Sequence, residues 1–187
     1  MKVPFKYIGL LMGVALAIFS FLFFGRKQDT YQVLLISGLV IATVSYLLIL
    51  FGKEKLKTKL LWTAVVILCA VIQQMTEPIL INNSYRIFIK QNENTLVDIN
   101  KILNHTSGDV TITADTIIHK SDEFTVAETE RLFEGRRKLG VYLISKTDHE
   151  IYYGLWGFLD VRLGITYWAE KSYPDIQYRH ITGNWFH

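Results

Sequence analysis

Three long apolar stretches occupy the first 80 residues and constrain the fold more than any other feature of the chain. They run over residues 7–24, 31–51 and 60–75. A helix needs about 20 apolar residues to cross the hydrocarbon core of a bilayer. The sequence therefore predicts a membrane domain of three helices over residues 1–81 and a soluble domain over residues 82–187.

The third stretch has the shortest apolar part. It loses its apolar character at Gln73, Gln74 and Glu77, and Pro78 is expected to end it. We interpret it as a third span, with a tilted or re-entrant segment as the alternative. The first stretch is interpreted as an uncleaved helix, because no small residues with the spacing of a signal-peptide cleavage site follow it.

Lysines and arginines near the ends of the spans predict the orientation, since positive side chains resist translocation. With three spans, the N-terminus and the second loop share one side and together hold six cations, against four on the other side. The six are Lys2, Lys6, Lys53, Lys55, Lys57 and Lys59, and the four are Arg26, Lys27, Arg86 and Lys90. We expect a protein of the cell (inner) membrane with a cytoplasmic N-terminus and an exoplasmic C-terminal domain.

Charge divides the chain at the same place as hydrophobicity. Residues before Asn82 carry a net charge of +5, and those from Asn82 onward carry −2. The basic balance therefore belongs to the membrane part, and no nucleic-acid partner is predicted for the soluble domain. The single cysteine, Cys69, lies in the third apolar stretch, so a disulfide within the chain is excluded.

Patterns in the soluble domain predict an α+β fold, with two helices packed on one face of a mainly antiparallel sheet. One helix is predicted over residues 94–104, capped by its first residue. The second is predicted over residues 126–138. Thr125 and Glu128 form a capping box at its start, and Gly140 provides a left-handed cap at its end.

Alternating or β-branched runs predict the strands. An Asp115 bend is expected inside one of them, and a turn over residues 146–149 closes a hairpin. The predicted strands cover residues 85–90, 110–118, 141–145, 150–156 and 159–168, with an edge-like return over 177–181 and 184–187.

Catalytic and metal-binding patterns are weak. The five histidines have no partner at the spacing of a zinc site, and no phosphate-binding or nucleophile motif occurs, so no metal or cofactor is predicted. The densest titratable cluster, Asp148–Glu150, falls in the predicted turn, where solvated polar side chains are common. A membrane-surface enzyme using these residues is one hypothesis, and a role without catalysis is favoured over it.

Aromatic residues are unusually dense near the C-terminus, with ten in the last thirty-six residues. Most are expected in the core of the sheet. Trp156, Phe158 and Trp168 fall on the parity opposite to the apolar positions of the strand over 159–168, and Arg162 is their expected charged neighbour. These four residues form the predicted ligand or partner surface.

Two functional hypotheses follow besides the enzyme. The first is a membrane protein whose exoplasmic domain binds a partner protein or envelope ligand, in an assembly or accessory role. The alternative is a cytoplasmic ligand-sensing domain coupled to membrane helices, as in a signalling or membrane-disrupting effector. The expected partners are the lipid bilayer and a protein partner or homo-oligomer, since small residues at Gly13, Ala15, Ala17, Gly38 and Ala42 permit close helix contact.

Overall fold

The three apolar stretches lie in helices that are long and apolar enough to cross a membrane, as predicted. Helix α1 covers Phe5–Ser20 and continues into a 3-10 turn at Phe21–Phe23, α2 covers Gln28–Leu50, and α3 covers Leu56–Gln91. The computed structural model describes residues 4–119, 124–158, 161–169 and 179–187. The chain divides into two units, residues 1–84 and 85–187.

Helix α3 corrects two predictions. Pro78 does not end it but lies inside it, and residues 85–90 are helical rather than a strand. Tyr85, Phe88 and Ile89 are buried, which is the spacing of one helix face. Six residues are too few to separate the two periods, because an apolar residue at every second position also leaves apolar residues four apart.

Small residues hold α1 and α2 together. Gly13 lies against Gly38 and Ala42, and a Cβ added at Gly13 would lie 2.7 Å from the carbonyl oxygen of Gly38. Ala17 is 3% exposed, and its backbone lies against Gly38 in turn. In lipid, apolar side chains gain little free energy by contacting one another instead of acyl chains. Such close backbone approach is therefore a main source of helix association. The predicted small-residue contacts are thus made within one chain, except at Ala15, which is exposed.

The N-terminus meets the second loop, called the lysine-rich loop below, at one end of the membrane unit. Lys6 forms an ion pair with Glu54, and the rings of Tyr7 and Trp62 stack with their centroids 4.8 Å apart. Tyrosine and tryptophan favour the membrane–water interface. This end of the unit therefore has the residue types that are expected at a membrane–water interface.

The opposite end joins the α1–α2 loop to the end of α3 in this unit. The Ser84 hydroxyl donates to the carbonyl oxygen of Phe24 at 2.9 Å. The Phe24 ring meets Tyr31 edge-on with centroids 5.1 Å apart. Three helices of alternating direction thus run between two ends, as a three-span protein requires.

Replacing Gly13 by Leu should destabilise the helix hairpin, because the new side chain would overlap the α2 backbone. Overpacking of this kind typically costs about 1–3 kcal/mol, and backbone on both sides leaves little room to relax. Thermal unfolding of the full chain in detergent would measure the loss. The matched control is Ala15→Leu on the exposed side of α1, and equal losses for both variants would contradict the packing argument.

Over its described residues, the second unit has a seven-stranded antiparallel sheet with helices. Helix α4 covers Glu93–Asn104 and α5 covers Val126–Leu139. The strands are β1 (Val110–Ile112), β2 (Ile117–His119), β3 (Leu143–Lys146), β4 (Glu150–Phe158), β5 (Val161–Trp168), β6 (His180–Thr182) and β7 (Trp185–Phe186). Their order across the sheet is β2-β1-β3-β4-β5-β7-β6, which confirms the predicted α+β class.

Most predicted strands are confirmed, with shifted boundaries. The run over 110–118 forms two strands joined at a turn that contains Asp115, where Thr113 N donates to the Thr116 carbonyl oxygen at 2.9 Å. Strand β3 begins two residues later than predicted. The final return forms β6 and β7, with β6 at the sheet edge. Predicted strand residues 159–160 and 177–178 lie outside the described residues.

The caps of α5 are confirmed. The Thr125 hydroxyl accepts a hydrogen bond from Glu128 N at 3.3 Å, and Thr125 N donates to the Glu128 carboxylate at 2.9 Å. Hydrogen bonds from the Thr125 side chain and backbone lower the pKa of Glu128. Gly140 adopts the left-handed conformation at φ 67°, and α4 is preceded by Asn92 instead of beginning at the predicted Asn94.

One face of the sheet forms the core. Ile112, Ile144, Tyr153 and Ile165 stand in register across β1, β3, β4 and β5, and all are 0% exposed. The Tyr153 hydroxyl donates to Asn100 Oδ1 on α4 at 2.6 Å, which ties the helix to this face. Burial raises the pKa of Tyr153, so the hydroxyl stays protonated as a donor.

The last turns of α3 also belong to this unit. The Tyr85 ring lies 4.8 Å from the His187 ring, and Arg86 Nε donates to the Ile181 carbonyl oxygen at 2.9 Å. The edge strand β6 is thereby fixed through its backbone.

The variant Tyr153→Phe should lower the free energy of unfolding by about 1–3 kcal/mol, because it leaves the buried Asn100 oxygen without its donor. Chemical denaturation followed by tryptophan fluorescence would measure the change. The control is Tyr167→Phe, since Tyr167 is only half-buried and water can replace its hydroxyl. A Tyr153→Phe protein as stable as that control would rule out a structural role for the bond.

Candidate functional site

A bulge in β4 decides where the predicted surface residues point. The register of β4 against β5 shifts between Gly154 and Trp156, which leaves Leu155 as the extra residue. Trp156 therefore pairs with Leu163, on the same side of the sheet as the core residue Ile165. The interpretation that Trp156 lies opposite to these apolar positions is wrong, because a one-residue bulge inverts the alternation that follows it.

Arg162 and Trp168 lie on the other face of the sheet. Arg162 pairs with Gly157 and is exposed, while Trp168 pairs with Glu150 and is half-buried. Six residues separate them along β5, about 20 Å at the rise of a strand. The backbone of Phe158 pairs with that of Val161. Trp156, Arg162 and Trp168 thus do not form one continuous surface.

Trp168 lies beside the predicted turn cluster. Its ring stacks on His149 with centroids 6.4 Å apart and planes 26° apart. Thr147 N donates to the Glu150 carbonyl oxygen at 2.9 Å and closes the turn. Asp148 and His149 are exposed, as expected for a hairpin turn.

Two tyrosine rings cover glycines of β4 and β5 on the sheet face that carries Arg162. Gly154 pairs directly with Gly164, and a Cβ at Gly154 would lie 2.5 Å from the nearest ring atom of Tyr142. The Tyr142 ring also lies over Gly157, and a Cβ at Gly164 would lie 2.7 Å from the ring of Tyr152. We call this surface, with Arg162 at its edge, the tyrosine patch.

Electrostatics within the tyrosine patch keep Tyr152 neutral. Burial is the main cause that raises the pKa of Tyr152, and the neighbouring Tyr142 and Tyr85 add to it. The Arg162 guanidinium acts in the opposite sense but does not reverse the shift. The patch therefore presents phenol groups and a cation, which is a hydrogen-bonding surface without a base.

A larger surface, which sequence reasoning missed, is a groove between α4 and α5. It is an open cavity of about 460 Å³. Gly135 of α5 lies against Ile99 of α4, where a Cβ would lie 2.8 Å from the Ile99 side chain. The groove is lined by Thr95, Asp98, Ile99, Lys101, Ile102, Arg131, Glu134, Gly135 and Lys138. Gly135 is the signal that the sequence offered, since a glycine inside a predicted helix can mark close contact with a neighbouring element.

The α4–α5 groove combines an apolar base with charges of both signs. Lys101, Arg131 and Lys138 supply three cations, and Asp98 and Glu134 supply two anions. None of these side chains pairs with another in an ion pair within the described part of the chain. The charges are therefore available to a partner.

Neither the tyrosine patch nor the α4–α5 groove has the residues of a metal or nucleophilic site. Over the described residues, no three histidine, cysteine or acidic side chains come close enough together to hold a metal ion. Both surfaces instead combine charges with apolar or aromatic side chains. No family model, curated protein or solved structure matches this chain.

Acidification should destabilise this unit through His187. Burial and the nearby Arg179 lower the pKa of His187 from its ordinary value of 6.5. The unfolded chain therefore binds the proton more readily, so this contribution to stability is complete above pH 6.5 and is lost as the pH falls below it.

The measurement is denaturant unfolding of the full chain in detergent at pH 7.5 and pH 5.5, for the wild type and for His187→Phe. The variant keeps a ring beside Tyr85 but cannot titrate, so it should lose less stability between the two pH values. An identical pH dependence in both proteins would show that His187 does not cause it.

Proposed function

We propose that this chain is an integral membrane protein whose exoplasmic α+β domain binds a partner protein or envelope ligand, in an assembly or accessory role. The observation that carries the proposal is the α4–α5 groove. Its volume, about 460 Å³, lies within the range of known ligand-binding clefts. Its position on two helices gives it a rigid frame.

The lining of the groove favours a protein segment as ligand. Ile99 and Ile102 lie at its base, and the charges along its rims alternate in sign. A helix or extended segment that carries both acidic and basic side chains around an apolar stripe would complement it. A small anion would meet Asp98 and Glu134 and is a poorer fit.

Two features support the exoplasmic placement. Six cations lie at the N-terminus and in the lysine-rich loop, against four at the other span ends. The contacts of Lys6 with Glu54 and of Tyr7 with Trp62 bring the N-terminus and that loop to one end of the membrane unit. The cation-rich end is the one that the positive-inside rule assigns to the cytoplasm.

Topology is the first test. Cysteine is placed at the exposed Thr147, in a Cys69→Ser background, and intact cells are labelled with a membrane-impermeant maleimide. We expect Thr147→Cys to be labelled before lysis and the matched variant Lys57→Cys, in the exposed first turn of α3 at the cation-rich end, only after it. The reverse pattern would overturn the orientation.

Partner binding is tested in cells with a photo-crosslinking amino acid at Lys101, inside the groove. We expect a crosslinked product of higher mass that Arg131→Glu strongly reduces. The control carries the same amino acid at Val97, which is exposed on α4 outside the groove. Equal crosslinking from both positions, or none from Lys101, would contradict recognition through the groove.

A cytoplasmic ligand sensor is the second candidate. One observation favours it: α3 contributes residues to both units, 56–84 to the first and 85–91 to the second. A ligand-dependent change in the sheet domain could then act on a membrane helix without a linker. Labelling of Lys57→Cys in intact cells, with protection of Thr147→Cys, would make this candidate the leading one.

A further inference from the structure

Helix α3 carries an exposed carboxamide deep in its membrane segment. The Trp62 contact with Tyr7 and the Ser84 hydrogen bond to Phe24 lie at opposite ends of the membrane unit. Ser84 follows Trp62 by 22 positions on α3, which corresponds to about 33 Å, close to the thickness of the hydrocarbon core. Gln74 lies about 18 Å from the Trp62 end and therefore near the middle of the bilayer.

The two neighbouring glutamines face different surroundings. Gln73 lines a cavity of about 220 Å³ between the three helices, together with Thr43 and Tyr46. Gln74 is exposed, and its side chain has no polar partner among the described residues. The three helices of the chain therefore enclose the Gln73 amide and leave the Gln74 amide facing lipid.

Gln74 belongs to a seam with the spacing of a coiled coil. Exposed residues recur four and three positions apart along α3, which is the pattern of two helices that pack on each other. We call this the Gln74 seam; it consists of Leu60, Ala64, Ile67, Val71, Gln74 and Pro78. Between Leu60 and Ile79, the other exposed residues of α3 are apolar, so lipid covers them without loss, and Gln74 distinguishes this seam.

Hydrocarbon cannot satisfy the Gln74 amide, because acyl chains neither donate nor accept hydrogen bonds. A neighbouring helix can satisfy the amide if it supplies a hydrogen-bond donor and an acceptor at the same depth in the bilayer. A second copy does this by symmetry: a two-fold axis along the bilayer normal brings two amides face to face, and each both donates and accepts.

We infer that α3 pairs with α3 of a second copy along the Gln74 seam, with the two Gln74 amides hydrogen-bonded across the two-fold axis. Gly13, Ala17, Gly38 and Ala42 pack α1 against α2 within each chain, whereas the apolar window of α3 has no buried residue, which makes α3 the most available helix for assembly. The pairing is independent of the side on which the sheet domain lies and of what binds the α4–α5 groove.

Disulfide crosslinking in native membranes tests the pairing, using the full chain with Cys69→Ser. Val71→Cys lies on the Gln74 seam, and Val66→Cys is its matched control, because Val66 faces the internal cavity. With oxidant, Val71→Cys should form dimers and Val66→Cys should not. Adding Gln74→Leu to Val71→Cys should lower dimer yield about fivefold, whereas adding Gln73→Leu should not.

Equal dimer yields from Val66→Cys and Val71→Cys would overturn the pairing, and so would dimers that Gln74→Leu leaves unchanged. Crosslinking of Val71→Cys to a different protein would assign the seam to that partner and overturn it too. Gln74→Asn keeps an amide and should retain dimers. If Gln74→Leu fails to accumulate in membranes, the comparison of the two valine variants, with Gln74 intact, still decides.

Discussion

The absence of hydrogen-bond partners in hydrocarbon is the constraint on which the membrane unit depends. Backbone amides must be satisfied within the chain, so the apolar stretches form helices. The same constraint acts on side chains. Gly13 and Gly38 allow α1 and α2 to approach at backbone distance, whereas Gln74 carries a polar group that its own chain leaves unpaired within the described residues.

The sheet unit is organised by burial instead. Fully buried residues in register across four strands form its core, and the bond from Tyr153 to Asn100 anchors α4 on that face. Gly135 then lets α5 lie close to Ile99. The packing that stabilises the helix pair also creates the groove, since charged side chains on either side of a close contact stand away from its apolar base. Stability and the proposed binding surface share one cause.

Local signals made much of the fold predictable. Uncharged apolar length indicated the three spans, the Thr125–Glu128 box indicated α5, and alternation indicated β4 and β5. The failures have a common origin: residues 85–90 and Trp156 were assigned from a period extended across a break or over too short a window. The bulge at Leu155 inserts a single extra residue, which cannot be detected from composition. It moves every later side chain of the strand to the other face.

The sequence by itself determined the apolar lengths, the charge asymmetry and the caps, because these depend on residues close together in the chain. Only the tertiary structure decided which glutamine of α3 is enclosed, which face of the sheet Trp156 joins, and that Asp98, Lys101 and Arg131 line one groove. Those outcomes depend on contacts between residues far apart in the chain, where a single glycine or one extra residue sets the approach of two elements.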